Sequence, residues 1–531
     1  MKYDAIVVGG GHNGLTAACY LAEAGFKTLV LERRHIVGGA AASEEFHPGY
    51  RNSIASYSPG MLRSEVIRDL HLKRLGLSFI PYHGSLDLMS DGRTLLLTGD
   101  ERHDQAEFGR YSNSDYEATK KFRNILLRVG DVVREQFLTE PLDLGGGIGQ
   151  LVPALKLGGR LRQLSLDERQ FLIQMFTSSA YEIVHRHFES DIVRQSYAVH
   201  ALAGNFVSLR APGSAAPMFI DALGEFDGKR HQWGIAVGGM GSITQAMQRR
   251  AEELGVDVRL SAPVSRIIVR NRVAEGVELE SGEKFQSRVV LANTDPKRTF
   301  LKFVGAEHLD ENFARDIENI KMGTGALRMN LALRGTPEFA RLSGRDAEIG
   351  LRSGITVLPT IESVEDAYHM ALKGECTADP YLAIQIPSSL DNTLAPPGHH
   401  VMSLACKYYP YDLSGGRKWA DIKEAVADSI VDIVAFHFPN IKDLIVGRQV
   451  LTPFDLEQVL GLTRGDIFHG AHQPHQLFSM RPHPKAAQYR TPIKALYLCG
   501  SGSHPGGGVT GGPGHNAAHR VIKDLKRGSA V

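Results

Sequence analysis

The chain is poor in cysteine, and it lacks both a long apolar run and a surplus of one charge. It has 4 cysteines in 531 residues. No two of them form a Cys-x-x-Cys pair, which excludes a flavin–disulfide relay, and so few cysteines suit a reducing compartment. No run of about 18 apolar residues occurs, so no transmembrane helix is predicted. The net charge of +1, without basic runs carrying aromatic residues, argues against nucleic acid as a partner.

The rest of the composition is that of a globular chain with a large core. Hydrophobic residues make up 43% and charged residues 22%, which is typical of such chains, and the length allows two or more domains. A first strand that begins near Lys2 leaves no room for a signal peptide, so we expect a cytoplasmic protein. Peripheral membrane contact stays open, because apolar stretches in the helical region and the basic tail (Arg520, Lys523, Lys526, Arg527) allow it.

Residues 3–32 have the pattern of a βαβ unit that binds a dinucleotide. A strand runs into Gly9-x-Gly11-x-x-Gly14, a helical pattern follows, and a second strand ends at Glu32. These glycines allow a tight turn, close approach of the backbone to a diphosphate, and close helix–strand packing. The helix N-terminus offers N–H groups to the phosphates. Glu32 can accept hydrogen bonds from an adenosine ribose and disfavours a 2′-phosphate, so FAD or NAD is favoured over NADP.

Two further glycine clusters are not predicted to bind phosphate. No strand leads into residues 145–147 and no Lys-Ser/Thr pair follows them, so residues 142–155 are predicted to form an irregular, apolar connection into a lid. Residues 238–241 open a helix, but the next strand does not end in an acid. We expect this second loop to pack against the first cofactor.

Elsewhere the patterns predict one further sheet and one helical region. Asp91-Gly92 between apolar runs predicts a β-hairpin over residues 79–98. Apolar residues at helical spacing predict a helix over residues 115–138, and the capping box at Ser165 predicts another that continues through Phe188. At the other end of the chain, glycine-rich residues 500–514 lie between a strand and a helix. Residues without side chains allow a flat ring to lie against this backbone.

Three stretches of the chain carry a resemblance to a known family. The first is VGGGHNGLTAA, which is followed by a strand that ends at Glu32. The second, VGGMGSI, lies in the middle of the chain, and the third, RTPIKALYLCGSGSHPGGGVTGGPGHNAA, lies near the C-terminus. This order resembles the phytoene desaturase-like branch of the flavin-containing amine oxidase superfamily, within it the group of the mitochondrial pyridine nucleotide–disulfide oxidoreductase domain-containing protein.

The resemblance implies an α/β fold with an α+β substrate part and one non-covalent FAD. A discontinuous Rossmann-type FAD-binding domain is expected over residues 1–75, 235–300 and 487–531. A mixed-sheet substrate domain is expected over residues 76–110 and 301–486, and a helical lid over residues 111–234. The residues expected to hold FAD are Gly9, Gly11, Gly14, Glu32, Arg33, Gly39, Ala40, Val264, Gly500, Ser501, Gly508 and Val509.

Three residues are candidates for the chemistry. His504 lies in the loop that should face the flavin, where it could polarise the ring or take a proton from carbon. Arg481 could stabilise negative charge on the flavin or bind a substrate carboxylate, and Tyr489 is the third candidate. No metal is expected, because Pro474 interrupts any helix that would align His469, His472 and His475.

The expected function is that of an FAD-dependent oxidoreductase that forms a carbon–carbon double bond in a largely apolar small molecule. In the family, a hydride passes from carbon to flavin N5, and oxygen or a quinone is the expected acceptor. Two alternatives stay open: a flavin amine oxidase acting on C–N bonds, and a non-catalytic carrier protein on the same scaffold. The intact glycines and Glu32 argue against the carrier. The sequence leaves the oligomeric state open.

Overall fold

Two seven-stranded sheets organise the molecule, and each draws its strands from distant parts of the chain. The coordinates are a computed structural model that describes residues 2–230 and 232–528. No helix in these two ranges is long and apolar enough to cross a membrane.

The strands, in chain order, are β1 (Lys2–Val8), β2 (Thr28–Leu31), β3 (Ser43–His47), β4 (Tyr50–Ser53), β5 (Phe79–Pro81), β6 (Ser85–Met89), β7 (Thr94–Leu97), β8 (Glu225–Phe226), β9 (Lys229–Arg230), β10 (Gly234–Ala236), β11 (Asp257–Arg259), β12 (Val264–Arg270), β13 (Val273–Leu279), β14 (Lys284–Ala292), β15 (Leu327–Leu333), β16 (Gly354–Leu358), β17 (Leu382–Gln385), β18 (His400–Cys406), β19 (Ile445–Leu451) and β20 (Leu496–Leu498).

The α-helices are α1 (His12–Glu23), α2 (Ser64–Asp69), α3 (Glu101–Gly109), α4 (Asn113–Arg134), α5 (Leu151–Arg162), α6 (Leu166–Thr177), α7 (Ala180–His187), α8 (Asp191–Ala198), α9 (Ile220–Leu223), α10 (Gly241–Glu253), α11 (Glu311–Glu318), α12 (Gly344–Leu351), α13 (Ile361–Leu372), α14 (Trp419–His437), α15 (Ile441–Leu444), α16 (Pro453–Leu460) and α17 (Gly512–Arg527).

The first sheet has the order β11-β2-β1-β14-β13-β12, and β20 also pairs with β14. Its β1, β2, β11, β14 and β20 are parallel, with Ile6 of β1 beside both Leu29 and Val290. Helices α1, α10 and α17 pack on one face, and a second apolar cluster covers the other face. Because both faces are covered, these strands are almost continuously apolar. The predicted βαβ unit is therefore confirmed.

The second sheet has the order β19-β15-β18-β17-β16-β6-β7 and is antiparallel except for the β16–β6 pair. Helix α14 packs against it through Ile430 and Val434. The predicted hairpin is present: β6 and β7 are joined by a turn in which Met89 N donates to Arg93 O and Gly92 has φ +87°. The strands of both sheets lie within the segments expected for their domains, while the exact domain limits stay a prediction.

Helices α3 to α9 form the helical region, and two predictions for it were wrong. The helix that begins at Ser165 ends at Thr177, because a second capping box of Ser179 and Glu182 opens α7 there. Within residues 142–155, predicted to be irregular, α5 begins at Leu151 and runs to Arg162. Its leucine, alanine, lysine and arginine residues favour a helix, and Pro153 is tolerated because it lies in the first turn.

Candidate functional site

The three glycines of the first loop are favoured by the backbone conformation or by the lack of space for a side chain. Gly9 has φ +102°, a conformation that favours glycine. A Cβ on Gly14 would lie 2.2 Å from the Gly9 carbonyl oxygen, and one on Gly11 would lie 2.9 Å from Asn293 Nδ2. Asn293 follows β14, and its Nδ2 donates to Gly9 O over 3.1 Å. Helix α1 is thus seated directly on the turn, with its N-terminal N–H groups at the carboxyl end of the sheet.

Glu32 lies just after β2, where an adenosine ribose is expected. Its side chain is buried, and its oxygens accept hydrogen bonds from Gly10 N at 2.8 Å and Arg34 N at 2.9 Å. Burial raises the pKa of this carboxyl. Each carboxylate oxygen keeps a second lone pair, so the side chain can still accept hydrogen bonds from hydroxyl groups. Val264, at the start of β12, is close in the chain to Ala262, whose N–H donates to Glu32 O.

The C-terminal loop closes on the first glycine loop. A Cβ on Gly500 would lie 2.8 Å from Asn293 O, and one on Gly502 would lie 3.3 Å from His469 O. Asn13 Nδ2 donates to Ser501 Oγ over 3.1 Å. The first and last motifs of the chain therefore line one cradle, with Asn293 between them. Asn293 was not predicted from the sequence. The only pattern that could have indicated its role is its position directly after a strand.

Several buried polar atoms in this cradle have no hydrogen-bond partner among the described residues. They are His12 Nε2, Asn13 Oδ1, His469 Nδ1 and Ser503 Oγ. Burial and the neighbouring His469 lower the pKa of His12 to about 3. Buried polar atoms without partners are uncommon in folded proteins, and here they sit at a helix N-terminus that attracts anions. The cradle therefore fits the diphosphate of a dinucleotide. Sequence reasoning missed His12, although it stands inside the glycine motif.

Gly39 lies against the same loop, and the carbonyl oxygen of Ala40 accepts a hydrogen bond from Ser56 N. Gly39 has φ +53°, and a Cβ on it would lie 3.7 Å from Gly11 Cα. The neighbouring Gly38 N donates to Gly10 O over 2.9 Å. Arg33 points away from this contact: its Nη2 donates to Gln458 O over 2.7 Å, at the end of α16. Its expected part in cofactor binding stays a prediction, and the contact that the structure shows is structural.

An apolar cavity lies behind the C-terminal loop. Its volume is about 80 Å³. None of the described residues that line it carries a formal charge at neutral pH. The lining comprises Met61, Val133, Phe137, Phe176, Ala203, Ala216, Pro217, Phe219, Ile220, Leu223, Phe468, His472, Leu477, Phe478, His504, Pro505, Gly507 and Gly508. The cavity therefore lies between part of the glycine-rich loop and the helices α4, α6 and α9 of the helical region. Of the expected FAD contacts, Gly508 lines the cavity, and the buried Val509 follows it with φ +59°.

His504 belongs to this lining, and one of its ring nitrogens has no hydrogen-bond partner among the described residues. Its Nε2 lies 2.8 Å from Gln136 O, and because a carbonyl only accepts, Nε2 carries the proton. The buried Nδ1 therefore has a lone pair, and no described residue donates to it. Burial lowers the pKa of His504 to about 4, so the ring is neutral near pH 7. His472 Nε2 accepts from Gly507 N over 3.2 Å, which fixes the loop against the cavity wall.

Tyr489 and Arg481 act on His504 and its loop through the backbone. Tyr489 is fully buried, and its hydroxyl donates to His504 O over 3.0 Å while it accepts from Asn516 Nδ2 over 2.8 Å. The Arg481 guanidinium donates to carbonyl oxygens only, among them Ser501 O at 2.7 Å and Phe468 O at 2.8 Å. All its N–H groups are used in this way, so none remains for a substrate carboxylate. These contacts indicate that Tyr489 and Arg481 position the loop, while the catalytic parts expected of them stay predictions.

The histidines 469, 472, 475 and 483 are dispersed. His469 lies in the cradle, His472 in the cavity wall and His475 on the surface, and His483 contacts Asp316. Within residues 2–230 and 232–528, no group of three His, Cys, Asp or Glu side chains could hold a metal ion. A half-buried cation that was not predicted from the sequence is Lys407: its Nζ donates to Thr324 O over 3.2 Å, and desolvation lowers its pKa to about 8.

A family model described as flavin containing amine oxidoreductase matches residues 14–326. A rat protein, pyridine nucleotide-disulfide oxidoreductase domain-containing protein 2 of Rattus norvegicus, is 35% identical, and the alignment covers 99% of this chain and 94% of the relative. The chain belongs to the flavin-containing amine oxidoreductase family. FAD is its cofactor, and the unpartnered polar atoms of the cradle and its close glycine contacts fit that group.

More distant relatives agree with the desaturase-like branch. One of the subunits of limonene dehydrogenase from Castellaniella defragrans is 27% identical, covering 98% of this chain and 95% of that protein. A lycopene-forming phytoene desaturase of Pseudescherichia vulneris is 25% identical, covering 98% and 99%. The structure of putrescine oxidase bound to putrescine aligns with a TM-score of 0.62, 16% identity and 99% coverage of both chains, which shows the shared fold. The expected fold class is therefore confirmed.

Proposed function

We propose that this FAD-dependent oxidoreductase removes two hydrogens from a largely apolar small molecule and leaves a carbon–carbon double bond. The observation that supports the proposal most strongly is the cavity behind the C-terminal loop. Phe137, Phe176, Phe219 and Phe478 line it, together with aliphatic side chains and two neutral histidines. Such a lining favours hydrocarbon over a charged ligand, because an unpaired charge in it would lose its hydration without compensation.

The chemistry that bound FAD supplies is two-electron: hydride acceptance from carbon, with oxygen or a quinone as the proposed final acceptor. The proton lost in the same reaction needs an acceptor on the protein. We assign it to His504 Nδ1, whose lone pair is free because Nε2 donates to Gln136 O. Tyr489 and Asn516 hold the backbone of this residue in place. The aromatic lining would exclude water from around the bound substrate.

The small volume of the cavity favours a movement of the helical region when a substrate binds. A space of about 80 Å³ holds only a handful of water molecules, since one water needs roughly 10–15 Å³ of such space. An isoprenoid or terpene is larger than that. Val133 of α4 and Phe176 of α6 line the cavity, so displacement of these helices would enlarge it. This assigns the helical region the part of a lid.

The amine-oxidising alternative predicts a different lining. An alkylammonium needs a carboxylate or a comparable set of acceptors when it leaves water. No aspartate or glutamate is among the described residues that line the cavity. The solved amine oxidases share the fold at 16% identity, which carries no information on the substrate.

The test is anaerobic mixing of the FAD-loaded protein with matched hydrocarbons and amines. Limonene and phytoene represent the apolar substrates, and cyclohexylamine and putrescine the amines. We expect a hydrocarbon to bleach the visible flavin absorption and to yield a product with two hydrogens fewer by mass spectrometry. Bleaching by the amines alone would identify an amine oxidase. Failure of every probe to perturb or bleach the flavin would remove the support for an apolar substrate.

A further inference from the structure

Residues 144–162, here named the strap, expose more apolar surface than any other described segment. Helix α5 lies within it and contains no buried residue. The side chains of Leu144, Ile148 and Val152 are 67%, 91% and 74% exposed, and those of Leu151 and Leu155 are 56% and 65% exposed. Contiguous exposed apolar residues of this kind mark interaction surfaces, whereas isolated ones are normal. The strap therefore presents a face whose partner lies outside the chain.

The charges that the strap itself carries have one sign. Between Asp143 and Asp167 the chain has no acid, while it has Lys156, Arg160 and Arg162. Arg160 pairs with Glu135. Lys156 and Arg162 form no ion pair with any described residue.

The helical spacing places these cations beside the apolar face. Leu151 and Leu155 lie one helical turn apart on one side of α5, and Val152 and Lys156 lie one turn apart directly beside them. Apolar side chains flanked by long cationic ones are typical of helices that lie in the interface of an anionic bilayer, where lysine and arginine reach the headgroups.

The strap is directly connected to the walls of the cavity. It joins α4, which contributes Val133, to α6, which contributes Phe176. Just before the strap, Leu142 O accepts a hydrogen bond of 2.6 Å from Ser479 Oγ, and the neighbouring Phe478 lines the cavity. A surface bound by the strap would therefore lie next to the helices whose movement would admit a substrate.

We propose that the strap docks on an anionic lipid bilayer, so that an apolar substrate passes from the membrane into the cavity. The second half of this inference rests on the proposed function; the docking itself does not. A second copy of the chain is the weaker occupant. A two-fold interface through the strap would bring two patches of the same charge together, because residues 144–162 contain three cations and no acid.

The experiment is co-sedimentation of the full-length, FAD-loaded protein with vesicles, without substrate. One set contains phosphatidylglycerol in phosphatidylcholine, and the other contains phosphatidylcholine alone. The wild type is expected to bind the anionic vesicles, less so at high salt. Val152→Gln/Leu155→Gln and Lys156→Glu/Arg162→Glu are each expected to weaken binding about tenfold or more. The matched control, Leu372→Gln/Phe436→Gln, changes two residues that are 58% and 51% exposed elsewhere and should bind as the wild type does.

Three results would overturn the docking proposal. They are no binding of the wild type to anionic vesicles, equal loss in the control variant, and a dimer in light scattering that Val152→Gln/Leu155→Gln converts to monomer. Flavin absorption of each variant verifies that it is folded. Because the vesicle assay contains no substrate, a wrong assignment of the reaction leaves vesicle binding intact. Conversely, a protein that does not bind vesicles but oxidises a detergent-solubilised hydrocarbon would contradict the docking alone.

Discussion

The dinucleotide cradle and the cavity behind it both bury neutral histidines, but the atoms around these histidines differ. In the cradle, His12 shares a helix N-terminus with other polar atoms that have no partner among the described residues. In the cavity, His504 stands among phenylalanine and aliphatic side chains, with one nitrogen fixed by Gln136. Burial lowers the pKa of both residues. An arriving diphosphate would favour the charged form of His12, whereas an apolar ligand would leave His504 neutral.

The two regions also differ in how well they tolerate amino-acid substitutions. In the cradle, a Cβ at Gly14 would collide with the Gly9 carbonyl oxygen, so a single methyl group has no space there. In the helical region that covers the cavity, α5 is exposed along its whole length. We therefore expect substitutions in the cradle to abolish cofactor binding and comparable ones in α5 to leave the fold unchanged.

The largest effect is expected from Gly14→Ala. The new Cβ would lie 2.2 Å from Gly9 O, so α1 must move off the turn that holds the diphosphate. We expect purified protein without visible flavin absorption and a loss of about 3 kcal/mol or more in the free energy of unfolding. Gly158→Ala in α5 is the control, because no atom lies within 4 Å of its Cβ position. Flavin retention in Gly14→Ala would show that the cradle is looser than these contacts indicate.

The second largest effect is expected from a substitution of His504, which should slow the reaction without weakening the binding of the cofactor. His504→Ala removes the proposed proton acceptor but no group of the cradle. We expect kcat to fall by about 10²- to 10⁴-fold while the flavin absorption stays that of the wild type. His475→Ala, on the exposed surface of the preceding segment, is the matched control. An unchanged kcat in His504→Ala would place the base elsewhere and reduce His504 to a structural part of the cavity wall.

The smallest effect is a pH dependence that differs between the two regions. The unfolded chain binds a proton at each histidine near pH 6.5, whereas the folded pKa is about 3 for His12 and about 4 for His504. The unfolded state therefore binds more protons in this window. Stability is fully present above pH 6.5 and is lost as the pH falls towards the folded pKa values. At about pH 5.5 each such histidine costs on the order of 1.4 kcal/mol.

FAD should remove the part of this loss that arises in the cradle, because the diphosphate stabilises a protonated His12. The rise in melting temperature on adding FAD to the FAD-free protein is expected to be larger at about pH 5.5 than at about pH 7.5. His12→Asn should abolish this difference, while His504→Gln should keep it. An equal rise at both pH values in the wild type would mean that His12 does not face the diphosphate.

Sequence patterns predicted the cradle well, since its contacts are imposed by local conformation. Gly9 needs a positive φ, Gly14 allows no side chain, and Glu32 lies at the end of a strand, all of which follow from spacing. Predictions failed where two local signals competed. The capping box at Ser165 predicts the start of α6, but a second box at Ser179 starts α7 and so divides the predicted helix in two. In α5, glycine and proline suggested a loop, although the helix-favouring residues between them prevailed.

By itself the sequence determined the βαβ unit, the family and the cofactor, because these depend on short-range geometry that glycine and a single acid encode. The tertiary structure alone decided what the remaining side chains do. In the folded chain the N–H groups of Arg481 donate to carbonyl oxygens, and the hydroxyl of Tyr489 donates to the carbonyl oxygen of His504. His504 Nδ1 has no partner among the described residues. These outcomes depend on which segments meet across hundreds of residues, and no local pattern records that.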